Sequence, residues 1–466
     1  MNDRWQNQEE AMQFALSHSA VMLDMDMGTG KTRVAIDTAF AREDIKVVLV
    51  VCPKSVLLDR VWEKNLNKFQ DPKSWVCLNL KGKESVPKKT EKLKKWISEV
   101  KNCEKKAFIT VNYDIVWRKE MGDFLYKEPP NMIILDESHR AKSAGSKVSK
   151  YLAMLGRRVK YKMCLSGTPM ANSPLDVYGQ YRFLDPTIFG TNHGLFLQEY
   201  AIMGGPDLKF VVGYKNQKLL QSKFQSIAYT CKMSDVADRI KLPNALPPIT
   251  RYIDIPEKDL KTMKELTKEF IAECGSGHVV VNNVLVKLLR LQQITSGFCF
   301  VKDIIEDSVD IEELNTSKQD GLVDILTDLS PLTSLVVFCR FRHDIASIRS
   351  AAKKSQRKCY ELSGSENTLE EWKKEDGAVI AVQIQAGSEG VDMTKAHHAV
   401  YYTVPTLTEY EQSRARLYRP GQKSPVSFIH LIARNTIDTA MYNSLMRKEN
   451  MIDLIKSGNL DFGYIH

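Results

Sequence analysis

The chain has 466 residues, and its 66 Lys and Arg against 57 Asp and Glu give a formal net charge of +9. At roughly 100–200 residues per domain, this length predicts two to four domains. A composition of 43% hydrophobic and 26% charged residues excludes wholesale disorder and collagen-like or mucin-like repeats. The positive charge permits an anionic partner but does not require one.

The sequence contains no apolar stretch near the ~18–20 residues that cross a bilayer, and its N-terminus lacks the basic and apolar segments of a signal peptide. The nine cysteines are scattered singly without a CxxC pair, which indicates neither a zinc site nor a disulfide framework. We therefore expect a soluble intracellular protein with reduced thiols. It would act in the cytoplasm of a bacterium or virus-infected cell, or in a eukaryotic nucleus, with no membrane partner.

The first part of the chain, about residues 20–185, alternates short apolar runs with helix-like segments, the pattern of a parallel sheet covered by helices. The runs lack polar alternation, as strands buried on both faces do. They comprise residues 20–23, 47–51, 107–111, 132–135 and 162–166.

A lysine-rich segment lies within this part, at residues 81–106, with ten Lys against four Glu. Leu93, Trp96, Ile97 and Val100 are spaced i, i+3, i+4 and i+7, which predicts a helix with one face packed inward. A solvated helix on the surface is favoured over a dedicated nucleic-acid patch, because basic charge alone is poorly specific.

Over residues 186–315 the alternation of strand-like and helix-like segments stops. The segments KLLQSKFQSI and KDLKTMKELTKEFIAEC predict amphipathic helices, and NNVLVKLLRLQQI predicts a more apolar helix buried against a lobe. Three prolines in residues 242–250 exclude a regular helix and mark a connector. The acidic stretch 303–315 is interpreted as a loop or hinge.

A second alternating part spans about residues 320–466, with apolar runs at 334–339, 378–382, 399–404 and 427–433. The predicted fold class is therefore α/β. We expect an N-terminal lobe over residues 1–185, helical insertions with a connector over 186–315, and a C-terminal lobe over 316–466.

The segment DMDMGTGKT, residues 24–32, follows the first apolar run and precedes a helix-like stretch, the context of a phosphate-binding loop. Gly28, Thr29 and Gly30 would turn the backbone so that successive N–H groups face one anion. Lys31 would meet the β and γ phosphates of ATP, and the Thr32 hydroxyl would coordinate Mg²⁺. The first glycine of the GxxxxGK[ST] pattern is replaced by Met25, so a chance glycine-rich turn is the alternative.

An acidic pair, Asp136 and Glu137, directly follows the run 132–135. This placement suits Mg²⁺ binding by Asp136 and polarisation of the attacking water by Glu137. A solvated acidic turn is the alternative, and it is disfavoured about a hundred residues after a phosphate loop. In the turn LSGTP, the hydroxyls of Ser166 and Thr168 would hydrogen-bond toward this pair.

Two arginines in QSRARLYRPGQ, Arg416 and Arg419, are three residues apart and would share one helix face. Guanidinium groups suit the charge that spreads over a transferring γ-phosphoryl group. Taken without the motifs of the first lobe, they would be interpreted as ordinary surface arginines.

The motifs occur in the order NQEEA, DMDMGTGKT, VVCPKSVLLDRVW, LDESH, LSGTP, FLDPTIFG, AGSEGVD and QSRARLYRPGQ. This order resembles the Swi/Snf-type branch of the superfamily 2 helicase-like ATPases over nearly the whole chain. The resemblance implies two RecA-like lobes with ATP in the cleft and double-stranded DNA across both. It assigns Gln8 to reading adenine, the loop residues and Thr32 to ATP and Mg²⁺, and Arg416 and Arg419 to the arginine positions of the last motif, which Gln422 closes.

The sequence also departs from the family pattern. Ala415 and Tyr418 replace the usual Asp and His of the last motif, and Tyr229 and Thr230 replace a usual arginine pair before the connector. DESH in place of DEAH resembles the annealing and fork-remodelling subgroup. Because the ATPase motifs span nearly the whole chain, we expect a compact viral or bacterial form rather than a chromatin remodeller with its own targeting modules.

The sequence thus predicts an ATP hydrolase that moves along double-stranded DNA, mainly through phosphate contacts. One alternative is a strand-separating DNA or RNA helicase of the same superfamily. An alternative of another class is a nucleotide-gated nucleic-acid-binding scaffold, which the presence of all five catalytic candidates (Lys31, Asp136, Glu137, Arg416 and Arg419) argues against.

Overall fold

The structure is a computed structural model of the chain, and it describes residues 4–100, 103–170, 173–204, 210–236, 242–275, 281–302, 309–385 and 391–447. Its strands are, in chain order, β1 Ala20–Met25, β2 Val47–Cys52, β3 Trp75–Asn79, β4 Lys106–Asn112, β5 Met132–Asp136, β6 Tyr161–Ser166, β7 Ala201–Gly204, β8 Phe210–Tyr214, β9 Ala228–Cys231, β10 Ile249–Ile253, β11 Phe298–Lys302, β12 Val309–Glu313, β13 Leu335–Cys339, β14 Cys359–Leu362, β15 Val379–Gln383, β16 His398–Tyr401 and β17 Ser427–Ala433.

The α-helices are α1 Gln6–Ser17, α2 Lys31–Ala41, α3 Lys54–Leu58, α4 Val61–Phe69, α5 Val86–Val100, α6 Lys119–Lys127, α7 Lys147–Gly156, α8 Val177–Leu184, α9 Pro186–Phe189, α10 His193–Tyr200, α11 Gln217–Gln225, α12 Met233–Val236, α13 Glu257–Gly275, α14 Val281–Thr295, α15 Ser317–Asp328, α16 Arg342–Lys354, α17 Leu369–Lys374, α18 Leu407–Leu417 and α19 Ile437–Met446. Short 3-10 helices span Ser138–Ala141 and Pro174–Asp176. Among the residues so described, no helix is both long and apolar enough to span a membrane.

The chain forms two compact units, one of residues 1–203 with 213–240 and the other of residues 204–212 with 241–466. The sheet of the first unit has the strand order β3-β4-β2-β5-β6-β1-β9, and its neighbouring strands are parallel. The sheet of the second unit has the order β10-β17-β16-β13-β15-β14, also parallel. The predicted α/β fold class with two parallel sheets is confirmed. The predicted boundaries at residues 185 and 315 stay predictions.

Both sheets are buried on both faces, which explains the unbroken apolar runs. In β2, Leu49 and Val51 belong to one core of the first unit, whereas Val48 and Val50 belong to the core on the opposite face. Strand β13 divides its side chains between two cores of the second unit in the same way. Side chains alternate across a strand, so a strand covered on both faces carries mostly apolar residues, and its few polar ones, such as Asp24 and His430, are buried.

The lysine-rich segment forms α5, as its spacing predicts. Leu93 is fully buried, and Trp96 and Ile97 pack against the same core. Lys88 and Lys95 lie on the exposed side of the helix. The helix is therefore anchored by one apolar face, and four of its five lysines are exposed. The fifth, Lys89, is buried and its Nζ donates to Gly82 O at 2.9 Å.

Residues 186–315 contain strands as well as the predicted helices α11, α13 and α14. The loop predicted over residues 303–315 is wrong in its second half, because Val309–Glu313 forms β12 and pairs antiparallel with β11. Residues 303–308 lie outside the described residues. The connector at 242–250 is non-helical up to the start of β10, as its prolines require.

Helix α14 packs in the second unit, burying Leu288, Leu291 and Ile294 in its core. A buried ion pair holds the same region, with Lys318 Nζ 2.7 Å from Asp438 Oδ2 and both side chains at most 1% exposed. Thr295 Oγ1, at the end of α14, donates to Asp438 Oδ1 at 3.0 Å. The predicted apolar helix is thus fixed to α15 and α19 by polar contacts in addition to packing.

The second unit also encloses His430 in a cage of aromatic rings. Its imidazole stacks on Tyr401 at 4.7 Å and contacts Tyr410 and Tyr442 at 5.3 and 4.9 Å. Burial, with a smaller contribution from the charge of Arg414, lowers the pKa of His430 to about 3. The imidazole is therefore neutral in the folded protein above about pH 3.

We expect this cage to make the second unit acid-sensitive. The unfolded chain gains a proton at His430 below pH ~6.5, and the folded protein does not until about pH 3, so stability is lost as the pH falls through this window. Between pH 7 and pH 5 the loss from this group is about 2 kcal/mol. Urea unfolding of wild type and His430→Phe at both pH values measures it. An identical pH dependence in the two proteins would contradict this assignment.

Candidate functional site

The phosphate-loop candidate connects β1 to α2 and has the backbone geometry that anion binding requires. Gly28 and Gly30 have φ of +88° and +103°, values that residues other than glycine rarely adopt. The hydroxyl of Thr29 donates to Asp26 O at 2.7 Å and fixes the turn. Lys31, the first residue of α2, is buried, and its Nζ donates to Met25 O at 2.8 Å. The loop therefore presents a helix N-terminus and an ammonium group together.

Met25, which stands where the loop pattern has its first glycine, is the last residue of β1 and is fully buried in the core. Its side chain points into the first unit, and its carbonyl oxygen accepts from Lys31. The departure from the pattern is accommodated by the strand and leaves the remaining turn intact.

Helix α1 places two amides on the loop. Gln8 is 4% exposed, its Nε2 lies 3.4 Å from Thr29 O, and its Oε1 accepts from Trp5 N at 3.2 Å. Asn7 Nδ2 donates to the same Thr29 oxygen at 3.1 Å. A Cβ at Gly30 would lie 2.3 Å from Gln8 Nε2, so glycine is needed there for space as well as for φ.

The acidic pair ends β5. Asp136 is 8% exposed, and its Oδ2 accepts from the indole N–H of Trp62 at 2.9 Å. Its main-chain oxygen accepts from Tyr113 OH at 2.8 Å. Glu137 has φ +51°, a left-handed conformation that is uncommon outside glycine and is often found at functional turns.

The turn after β6 approaches both neighbours. A Cβ at Gly167 would lie 3.3 Å from Met25 O, closer than an ordinary contact, so the turn lies directly against the phosphate loop. Ser166 Oγ is 3.4 Å from His139 Nδ1, which is itself 3.4 Å from Glu137 Oε2. The predicted bond from Ser166 toward the acidic pair thus runs through His139, whereas the Ser166 hydroxyl also accepts from Thr168 N at 3.1 Å.

These three turns meet because their strands are neighbours. In the order β5-β6-β1, Asp136 pairs with Leu165, and Ser166 pairs with Asp24. The carboxyl ends of adjacent parallel strands form one edge, where α/β proteins bind their ligands. Eight predicted site residues of the first unit therefore belong to one edge of one sheet (Gln8, Gly28, Thr29, Gly30, Lys31, Thr32, Asp136 and Glu137).

The chemistry of this edge fits a magnesium nucleotide. Thr32 and Asp136 supply a hydroxyl and a carboxylate oxygen, the ligand type that Mg²⁺ prefers. Among the described residues, no cluster of three or more His, Cys, Asp or Glu side chains could hold a metal alone. Mg²⁺ is commonly held by one or two carboxylates together with phosphate oxygens, and this donor set matches that arrangement.

Strand β9 supports the loop from the other side of β1. Asp26 N donates to Cys231 O at 2.9 Å, and Asp26 Oδ2 accepts from Met233 N at 2.8 Å. Lys232 Nζ lies 3.7 Å from Asp24 and 3.5 Å from Asp26. Burial raises the pKa of the Asp24 carboxyl, and the Lys232 charge opposes this shift.

The arginine candidates lie in the second unit. Arg416 is 2% exposed on α18, and its main-chain oxygen accepts from Met393 N at 3.1 Å. Arg419 Nη1 donates to Val391 O at 3.3 Å. Gln422 donates to Ala396 O at 2.9 Å and anchors the end of this segment. Arg416 is thus not a surface arginine, and both arginines adjoin the motif AGSEGVD, of which residues 386–390 lie outside the described residues.

Sequence reasoning missed four contributors to these sites: Asn7, Trp62, Tyr113 and Lys232. Each acts through contacts between segments far apart in the chain. Two of them lie in motifs quoted above, since Asn7 begins NQEEA and Trp62 ends VVCPKSVLLDRVW.

The chain is similar to known proteins over most of its length. Residues 3–296 match the SNF2-related domain, and residues 317–421 match the helicase conserved C-terminal domain. A Caenorhabditis elegans protein named as a homolog of SWI/SNF-related matrix-associated actin-dependent regulator of chromatin subfamily A-like protein 1 is 24% identical over 96% of this chain and 61% of its own length. Human DNA annealing helicase and endonuclease ZRANB3 is 23% identical over 95% of this chain and 39% of its own length. This chain thus spans only part of both relatives.

A third relative, putative protein p41 of Acyrthosiphon pisum secondary endosymbiont phage 1, is 23% identical over 94% of both chains. The Sulfolobus solfataricus SWI2/SNF2 ATPase core in complex with dsDNA is 19% identical with a TM-score of 0.45, a likeness that carries no weight in the assignment. Because the SNF2-related domain matches well over half of the sequence, the chain belongs to the SNF2-related family, as the order of its motifs predicts.

Proposed function

We propose that this chain hydrolyses ATP and uses the energy to move along double-stranded DNA without separating its strands. The observation that carries the proposal is the meeting of the phosphate loop, the acidic pair and the SGTP turn at the carboxyl ends of β1, β5 and β6. Membership of the SNF2-related family supports it. Relatives named as a DNA annealing helicase and an uncharacterized ATP-dependent helicase support its use of ATP and DNA.

In this mechanism the loop amides and the buried Lys31 hold the β and γ phosphates. Thr32 and Asp136 would hold Mg²⁺, and the ion would supply positive charge beside the phosphate oxygens. Glu137, whose Oε2 lies near His139, orients the attacking water and accepts its proton. Arg416 and Arg419 act on the γ-phosphoryl charge. Lys31 and Asp136 are already held by hydrogen bonds, and Arg416 is buried, which lowers the cost of reorganisation during the reaction.

The nucleic acid is recognised through its phosphates, so binding is expected to vary little with base sequence and to weaken steeply as salt rises. ATPase activity measured with no nucleic acid, with duplex DNA, with single-stranded DNA and with RNA tests the proposal. A forked duplex with labelled strands tests strand separation. We expect stimulation by the duplex and intact strands. Stimulation by RNA alone, or by no nucleic acid, would refute the proposal.

We further propose that Gln8 reads the adenine base. Gln8→Ala is expected to lower the preference for ATP over GTP, because one of the two amides on the loop loses its hydrogen-bonding group. Asn7→Ala is the matched control, since Asn7 shares the acceptor Thr29 O with Gln8. Asn7→Ala should slow the hydrolysis of ATP and of GTP by the same factor. Steady-state hydrolysis of ATP and GTP measures the ratio, and an unchanged ratio in Gln8→Ala would limit Gln8 to supporting the loop.

A further inference from the structure

Trp62 is a buried donor to the proposed metal carboxylate. Its indole Nε1 donates to Asp136 Oδ2 at 2.9 Å, and the side chain is 1% exposed. An indole N–H can only donate, so this bond uses Asp136 Oδ2 as an acceptor and holds that oxygen in one place. We propose that Trp62 is a positioning residue, which fixes the orientation of the Asp136 carboxylate toward the divalent cation of the nucleotide. This inference rests on the proposed ATPase function.

The fold fixes the indole before any ligand binds. Trp62 is the second residue of α4, and Leu66, one turn later, is fully buried in the same core. Arg60, which precedes α4, has φ +53° and turns the chain sharply out of α3. Helix α4 also packs on α2, the helix that begins at Lys31. One helix therefore contacts both the loop helix and the carboxylate.

Asp136 is held at two points, by Trp62 at the side chain and by Tyr113 at the main chain. The main-chain bond fixes where β5 ends, whereas the indole bond fixes the rotation of the carboxylate. Partners of this kind behind a metal ligand are worth about 10–100-fold in metal affinity or activity when they are removed. Trp62→Phe would keep an aromatic ring in the core and remove only the donor and part of the volume.

The chain offers a matched control in Trp75. Its indole nitrogen is buried and has no hydrogen-bond partner among the described residues, and Trp75 packs against the same core as Trp62. Trp75→Phe therefore removes the same atoms from the same core without touching the carboxylate.

The first measurement is the Mg²⁺ concentration that gives half-maximal ATPase activity at fixed ATP. We expect Trp62→Phe to raise it by about 10–100-fold, with much of the turnover restored at saturating Mg²⁺, and Trp75→Phe to leave it unchanged. Equal Mg²⁺ requirements in the two variants would overturn the inference. Lowered turnover at every Mg²⁺ concentration would also overturn it, since that result marks a structural role.

The second measurement does not need turnover. The protein has six tryptophans, and subtracting the emission of Trp62→Phe from that of wild type isolates Trp62. Because the indole touches Asp136, paramagnetic Mn²⁺ added with ATP should quench this difference emission, and Asp136→Asn should abolish the quenching. If Trp62→Phe does not fold, the comparison is made between wild type and Asp136→Asn. We then expect Mn²⁺ with ATP to quench the tryptophan emission of wild type but not that of Asp136→Asn. The absence of this difference overturns the inference.

The two readouts separate this inference from the proposed function. Quenching of Trp62 in a wild-type protein without ATPase activity would refute the function and retain the cation site. If DNA stimulates ATPase activity but Trp62→Phe leaves the Mg²⁺ requirement unchanged, the proposed function is retained and the positioning role of Trp62 is refuted.

Discussion

Replacing Arg416 or Arg419 with Ala is expected to lower DNA-stimulated ATP turnover by about 10³–10⁵-fold, the value of an arginine finger in nucleotide hydrolases. Lys should restore little of it, because an ammonium group lacks the planar fork of a guanidinium. ATP binding should change little, since the phosphate loop and Gln8 belong to the other unit of the chain. Turnover, nucleotide affinity and melting temperature are measured on the same preparations.

Arg414, on the same helix α18, is the control for this experiment. Its guanidinium lies over the rings of Tyr410 and Phe428 at 5.3 and 5.1 Å, so Arg414→Ala should lower the melting temperature and leave most turnover per folded molecule. If Arg416→Ala behaves like Arg414→Ala, losing stability and keeping turnover, its buried guanidinium is a packing element and the catalytic assignment is wrong.

Lys31→Ala is expected to abolish measurable hydrolysis, with a loss of at least about 10²–10³-fold, the cost of removing one preorganised donor from an active site. Lys31→Met separates charge from packing, because it keeps an unbranched side chain in the buried position next to Met25 O. Both variants should lose turnover, and Met should keep more of the stability. Turnover is measured at saturating ATP beside a thermal melt. Normal turnover in Lys31→Met would show that the loop does not bind phosphate.

The strands that the sequence predicted and those it missed differ in their position in the sheets. Every apolar run became an interior strand, as with β2 and β13, because two covered faces demand continuous apolar side chains. The missed strands β3, β9, β10 and β14 are the four edges of the two sheets. They are short and partly exposed. Strands β9, β10 and β14 carry no run of four apolar residues, and the run 75–78 in β3 is mostly half-buried.

The candidate site divides in the same way. The loop and the acidic pair are local sequences with fixed spacing, so Lys31 and Asp136 could be proposed as site residues without the structure. Trp62 lies 74 residues from Asp136 in the chain, and Lys232 lies 206 residues from Asp26. Such contacts depend on which strands and helices become neighbours, which spacing along the chain does not reveal.

The order of strands along the chain has a consequence for synthesis on the ribosome. Every strand of the first sheet, up to Cys231, is made before Ile249 begins the second sheet, so the N-terminal sheet can complete its hydrogen bonding while the rest is still being translated. Strand β9 is added last, against β1, and brings the contacts of Cys231 and Met233 to Asp26. During synthesis, β1 is an edge strand until then. A nascent chain halted before residue 228 would therefore hold most of its core but an unsupported phosphate loop, and nucleotide affinity would appear only in the final step of building that sheet.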